Sequence, residues 1–161
     1  MTVLDNLLLA RHQNLKYNFL QALIYYGRTS RLEAENRAYV EDVIDFMELE
    51  PYRKRTVGSL SYGVQKRVEV ARALTLGPDL LLLDEPMAGM NIEEKEDMVR
   101  FILDIQTERE ITVVLVEHDL GVVMDISDQI YVLDFGQLIG EGQPDEVAAN
   151  PKVIEAYIGE D

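Results

Sequence analysis

A chain of 161 residues with 47% hydrophobic side chains is long enough for one domain with a real core and too apolar to be disordered. No apolar run approaches the ~18 residues of a membrane span, and nothing at the N-terminus reads as a signal peptide, so a cytosolic chain is expected. The absence of cysteine excludes disulfides and thiolate chemistry. Charge is unevenly placed: residues 1–60 hold eight basic and eight acidic side chains, whereas residues 61–161 hold seven basic and twenty-two acidic, the whole excess of −15. That distribution argues against DNA or RNA along the C-terminal part, because phosphate neutralisation needs Lys and Arg.

Thr2 with Asp5 three residues later has the N-cap spacing of a helix over about 3–12, with Leu4, Leu7 and Leu8 on one face. His12, near its end among polar residues, reads as a solvated surface group. Residues 17–26 mix Tyr17, Phe19, Leu20, Leu23, Ile24 and Tyr26 at helical spacing, an apolar packing face. Gly27-Arg28-Thr29 breaks that pattern. Ser30 to Glu33 reads as a capping box, and Val40, Val43, Ile44 and Met47 form the stripe of a long helix ending near Glu50-Pro51. The basic cluster Arg53-Lys54-Arg55 reads as a solvated turn. Residues 1–76 are thus expected to form a helical subdomain.

Leu60-Ser61-Tyr62-Gly63-Val64-Gln65 opens a helix whose apolar positions include Val64, Val68, Ala71 and Leu74. Ser61 is a suitable N-cap, and the first free N–H groups would point past Gly63, where no side chain blocks a close anion. Helix N-termini of this kind bind phosphate, although a Ser-x-Gly cap is also a common structural device.

The rest is organised around Leu80-Leu81-Leu82-Leu83-Asp84-Glu85-Pro86. Four consecutive leucines after Gly77-Pro78-Asp79 read as a strand buried on both faces. Pro86 stops it and leaves Asp84 and Glu85 at its C-terminal edge, where open parallel sheets bind ligands. Acids there suggest a metal and a base; an ordinary core strand followed by solvated acids has the same pattern. Met87-Ala88-Gly89-Met90 is a loop, Asn91 with Glu94 caps a second helix, and Met98, Ile102 and Ile105 face inward. Ile111 to Val116 is a second strand, so a right-handed, parallel βαβ unit is expected. It ends in Glu117-His118-Asp119, where the histidine either lies in a capping turn or sits beside Glu85, within reach of a phosphate oxygen or water. A short helix over 119–126, a hairpin flanking Phe135-Gly136-Gln137, and two short helices around 145 and 152–158 complete the chain.

In this order, LSYGVQ, LLLLDEP, AGMN and VEHD resemble the signature motif, Walker B strand, D-loop and switch histidine of an ATP-binding cassette (ABC) ATPase. The spacings, 23 residues from Ser61 to Asp84 and 34 from Asp84 to His118, are comfortable for that family. The ending GEGQPDEV and the AGMN form look most like the ATP-binding subunits of branched-chain amino acid importers. The resemblance implies an α/β, P-loop NTPase-like partial core with parallel strands over 77–161, beside the helical subdomain. It implies ATP and Mg²⁺ as cofactors. Asp84 would hold the metal, Glu85 would orient the attacking water and His118 would contact the γ-phosphate. Ser61, Tyr62, Gly63 and Gln65 would reach ATP held by a second subunit, and Ala88, Gly89 and Asn91 would connect the two sites of a head-to-tail dimer. Permease subunits in the membrane, with the chain on its inner face, are the other implied partners, and no nucleic acid.

The departures are equally informative. No segment of the chain has the phosphate cradle G-x-x-x-x-G-K-[ST], whose N–H groups and lysine hold nucleotide. Val64 stands where the signature usually has glutamine, and Asn91-Ile92 departs from the common D-loop aspartate. Thr2 to Asn6 resembles the stretch just after the family's glutamine loop, so Met1 looks like an internal methionine and the chain like a cassette without its N-terminal part. The chain alone is expected to be inactive. Two alternatives are a non-catalytic partner supplying the signature motif in trans and an ABC-type DNA-repair ATPase.

Overall fold

The computed structural model describes residues 1–12 and 28–158; the apolar stretch expected over 17–26 lies outside these. Helix α1 (Val3–His12) begins as the sequence requires. The Thr2 hydroxyl accepts from the Asp5 N–H at 3.1 Å, and the Asp5 carboxylate accepts from the Thr2 N–H at 3.3 Å, a reciprocal cap. Its buried residues are Val3, Leu7 and Ala10, one step round from the expected Leu4, Leu7 and Leu8 face. That i, i+4, i+7 line meets both α2 (Arg28–Phe46) and α3 (Tyr62–Leu74).

Helix α2 already includes Ser30, so that residue is not an N-cap, and it stops at Phe46 rather than near Glu50. Its stripe Val40, Val43, Ile44 and Met47 is buried as the spacing predicts. Glu48, in the left-handed region at φ 52°, turns the chain out of the helix toward a 3-10 turn over Glu50–Tyr52. Arg53 is not a solvated turn residue: it is half-buried, pairs with Glu41, and its carbonyl accepts from the Leu4 N–H at 3.0 Å. Together with the Val3 N–H to Arg55 carbonyl bond, also 3.0 Å, this ties the start of the chain to the segment that precedes α3.

The chain divides into two compact units, Met1–Leu115 and Val116–Asp161. In the first, strand β1 (Leu80–Asp84) leads through helix α4 (Ile92–Arg109) to strand β2 (Thr112–Val116), and β1 and β2 pair. The Thr112 N–H donates to the Asp79 carbonyl at 3.1 Å, which joins the starts of both strands. The strands therefore run parallel, the expected outcome of a helical crossover.

The expectation that β1 is buried on both faces does not hold. Leu81 and Leu83 are buried, but Leu80 is 51% and Leu82 69% exposed, and Val114 of β2 is 46% exposed on the same side. A leucine run specifies an apolar environment on both faces; burial also needs a covering layer, and among the described residues only one face has it. The turn residue Met87 and Met98, Phe101 and Ile105 of α4 are fully enclosed. The outer side of α4 is tied to the end of α2. Arg100 donates to Glu48 at 3.1 Å and lies 4.4 Å from the Phe101 ring centre, and Arg109 reaches Asp42 at 2.6 Å. The Arg100 guanidinium is shifted up from its ordinary value by the Glu48 hydrogen bond. Such exposed pairs each contribute about 0–1 kcal/mol and act here as orientation for α4.

In the second unit α5 (Leu120–Ile126) follows an Asp119 cap, and β3 (Ile130–Asp134) pairs antiparallel with β4 (Gln137–Gly142). Phe135 and Gly136, at φ 43° and 79°, make the two-residue turn between them. Helices α6 (Pro144–Ala148) and α7 (Pro151–Ile158) cover the hairpin, with Ile130, Val132, Val147 and Val153 as its core.

Candidate functional site

The two ends of α3 are finished in different ways. At its C-terminus, Arg11 donates to the Thr75 carbonyl at 2.9 Å and Tyr39 donates its hydroxyl to the Leu74 carbonyl at 3.2 Å. Arg11 is itself held by Asn36 at 2.8 Å and stacks 4.3 Å from the Tyr39 ring centre. A guanidinium there satisfies orphan carbonyls and complements the negative end of the helix dipole. Thr75 is fully buried and turns its hydroxyl back onto the Arg72 carbonyl at 2.7 Å.

At the N-terminus, Ser61 occupies the cap position with extended backbone, φ −62° and ψ 157°, but its hydroxyl makes no capping hydrogen bond. Ser61 and Tyr62 are exposed, and Gly63 is buried. Gln65 folds its amide back to the Leu60 carbonyl at 2.9 Å, which fixes the segment leading into the helix. An exposed serine whose hydroxyl does not cap thus stands at the start of a helix anchored at its far end. This is an arrangement suited to an incoming anion.

Asp84 closes β1 on the same face as the exposed Leu80 and Leu82 and is itself exposed. Glu85 follows at φ 45°, and its carbonyl accepts from the Ala88 N–H at 3.2 Å in a tight turn. A non-glycine residue in the left-handed region costs of order 1 kcal/mol, and such positions concentrate at functional sites. Two consecutive carboxylates are thereby delivered at the C-terminal edge of a parallel strand, as the sequence predicts.

The turn then brings its second half against α3. A Cβ built on Gly89, whose φ is 74°, would lie 3.3 Å from the Tyr62 ring. Asn91 caps α4 through its side chain, accepting from the Glu94 N–H at 2.9 Å, while the Glu94 carboxylate accepts from the Asn91 N–H at 3.3 Å. A Cβ on Gly63 would lie 2.5 Å from Glu94 Oε1 and 2.6 Å from its Cδ. The side-chain direction of Gly63 is therefore filled from within the chain by Glu94. Tyr62 thus meets Gly89 and Gly63 meets Glu94, which brings the start of α3 against the turn after β1 and the first turn of α4. The sequence marks Glu94 only as a helix cap; its contact with Gly63 spans 31 positions and leaves no local signal.

His118 belongs to the second unit, between β2 and α5. Its side chain is 72% exposed and its Nδ1 lies 3.9 Å from the Glu117 carboxylate, whose side chain is 2% exposed. The distance exceeds a hydrogen bond. Asp119, expected as the first residue of the short helix, is instead its N-cap, accepting from the Val122 N–H at 3.5 Å.

Among the described residues no group of three or more His, Cys, Asp or Glu side chains converges to cage a metal ion. The donors present at the strand end are carboxylate oxygens, which suit a hard cation. Mg²⁺ commonly takes one or two carboxylates and fills its remaining positions with water and phosphate oxygens. Asp84, with Glu85 next to it, fits that habit.

Residues 1–88 match the family model described as ABC transporter, more than half of the chain. The chain belongs to that family. Residues 137–161 match a second model, branched-chain amino acid ATP-binding cassette transporter. The chain is 40% identical over 160 residues to the high-affinity branched-chain amino acid transport ATP-binding protein BraF of Pseudomonas aeruginosa, covering 99% of this chain and 63% of that one. It is 37% identical to LivG of Escherichia coli, a protein of the same description, at the same coverage. Among solved structures, an ATP-binding cassette of an ABC transporter in its ADP conformation aligns with a TM-score of 0.78 and 33% identity, covering 99% of this chain and 63% of that one. A nucleotide-free ATP-binding cassette gives the same TM-score of 0.78 at 34% identity, covering 99% and 64%. The chain therefore spans about 63% of the length of the curated relatives it matches, and its fold is that of the corresponding part of an ABC cassette.

Proposed function

We propose that the chain provides the signature segment and the hydrolytic carboxylates of the ATP-binding subunit of an ABC importer. ATP hydrolysis would be coupled to uptake of branched-chain or other amino acids. The observation that carries this reading is the similarity, over 99% of the chain, to relatives named as branched-chain amino acid transport ATP-binding proteins. The match of residues 137–161 to the model of that subgroup supports the substrate class.

In this reading, residues 1–76 are the helical subdomain that presents the signature, and residues 77–161 are the C-terminal half of the nucleotide-binding core. Asp84 would hold Mg²⁺, and the ion would supply neutralisation of phosphate charge when bound. Glu85, fixed in its turn, positions and polarises the attacking water. His118 hydrogen-bonds the terminal phosphate. Ser61, Tyr62, Gly63 and Gln65 face ATP on a second ATP-binding subunit in a head-to-tail dimer, and Ala88, Gly89 and Asn91 relate the two sites. Transmembrane permease subunits complete the importer, with the chain on the inner face of the membrane. No helix among the described residues is long and apolar enough to cross a membrane itself. The 161 residues contain no phosphate cradle, so by themselves they are expected to hydrolyse ATP negligibly.

Disrupting the gene and measuring uptake of radiolabelled leucine, isoleucine and valine tests this reading. A clear fall in uptake of one or more is expected. Unchanged uptake of all three would count against it.

A further inference from the structure

One carboxylate lies at two helix N-termini. Glu94 Oε2 accepts from the Asn91 N–H at the start of α4, while Oε1 fills the space where a side chain at Gly63 would stand, in the first turn of α3. A negative group is favourable at the start of α4, whose free N–H groups it meets, while its Oε1 lies in the side-chain direction of Gly63 beside the first turn of α3. The turn residues beside it touch as well: Gly89 backs directly onto the Tyr62 ring. Two independent contacts thus join the same two segments, and in both a glycine gives way to a side chain from the opposite segment.

We propose that Glu94 is a positioning residue that locks the Leu60–Gln65 segment to the Met87–Asn91 turn, and that Gly63 is required to admit its carboxylate. A methyl group at Gly63 meets Glu94 below van der Waals distance. The far end of a free glutamate would swing away at little cost. This one is held by its bond to the Asn91 N–H, so moving it undoes half of the α4 cap. The two segments consequently move as one body. In the importer reading, on which only this consequence rests, displacement of the ATP-facing serine is transmitted to the turn after the hydrolytic carboxylates within a single chain.

The test uses the full chain and no nucleotide, so its outcome is separate from that of the importer reading. Gly63→Ala, Glu94→Ala and the double variant are compared by chemical denaturation. Gly63→Ala alone is expected to lower the folding equilibrium constant about five- to tenfold, the loss typical of a helix cap. In the Glu94→Ala background the same change is expected to be nearly neutral. Glu94→Gln, which keeps the length of the side chain, is expected to leave the Gly63→Ala penalty in place. Amide hydrogen exchange gives a second readout that does not depend on the Gly63→Ala variant folding. Glu94→Ala is expected to accelerate exchange at Gly63 and Gly89 together, with Val68 and Ile105 unchanged. Additive stability effects, or acceleration confined to the first turn of α4, would overturn the proposal and leave Glu94 as a cap alone.

Discussion

The two ends of helix Tyr62–Leu74 share one backbone geometry and have opposite finishes. Its C-terminus is closed by Arg11 and Tyr39 from two other helices, around a threonine with no exposure to solvent. Its N-terminus has a serine in the cap position whose hydroxyl does no capping. A helix stabilised only for its own sake would use both ends. The difference separates an anchor from a presenting end, and the presenting end is where an anion would be met.

Arg11→Ala should break this comparison most strongly. It removes a charge-assisted bond to the Thr75 carbonyl, the bond to Asn36 and the stacking on Tyr39, at an expected cost of about 1.5–3 kcal/mol in chemical denaturation. The presenting end should respond far less. Ser61→Ala is expected to change stability by less than ~0.5 kcal/mol, because no capping bond is lost. Asn91→Ala at the neighbouring helix start, where the capping box is complete, is expected to cost about 1 kcal/mol. Equal losses for Ser61→Ala and Asn91→Ala would erase the distinction between a presenting and a structural N-terminus.

The smallest expected effect is at the start of α1. Hydrogen bonds to the Thr2 side chain and backbone hold the Asp5 carboxyl below its ordinary value of 3.8. A carboxyl depressed in the folded state stabilises above its unfolded pKa, and that contribution is lost as pH falls through the folded value. The protection of amides in the first turn of α1, measured against their intrinsic exchange rates, should therefore fall on acidification below about pH 4. Asp5→Asn should remove that dependence. An unchanged pH profile in the variant would show that another group controls this end.

Much of this was legible in the sequence because it is local. The Thr2–Asp5 and Asn91–Glu94 caps are three residues wide, the Val40 to Met47 stripe follows helical period, and Asp84-Glu85-Pro86 marks the end of its strand directly. The errors arose where the answer depended on distant chain. Ser30 has the spacing of a cap, yet the helix starts ahead of it at Arg28. Leu80 and Leu82 are as apolar as Leu81 and Leu83, and only the layer on one side of the sheet distinguishes them. Arg53 looked like surface charge until Glu41 on α2 was brought beside it. The contact between Gly63 and Glu94 left no local signal either, because Glu94 belongs to the next helix. Periodicity and capping rules describe one segment at a time, and these features each need two.

The proposed reading is that these 161 residues, taken alone, present α3 to nucleotide held elsewhere and lack the phosphate cradle needed to bind it tightly. Isothermal titration of Mg-ATP into the purified 161-residue chain tests it most directly. The expected result is no saturable heat in the micromolar range, for want of the glycine-rich cradle and its lysine. Stoichiometric binding of Mg-ATP at micromolar concentration would contradict the account.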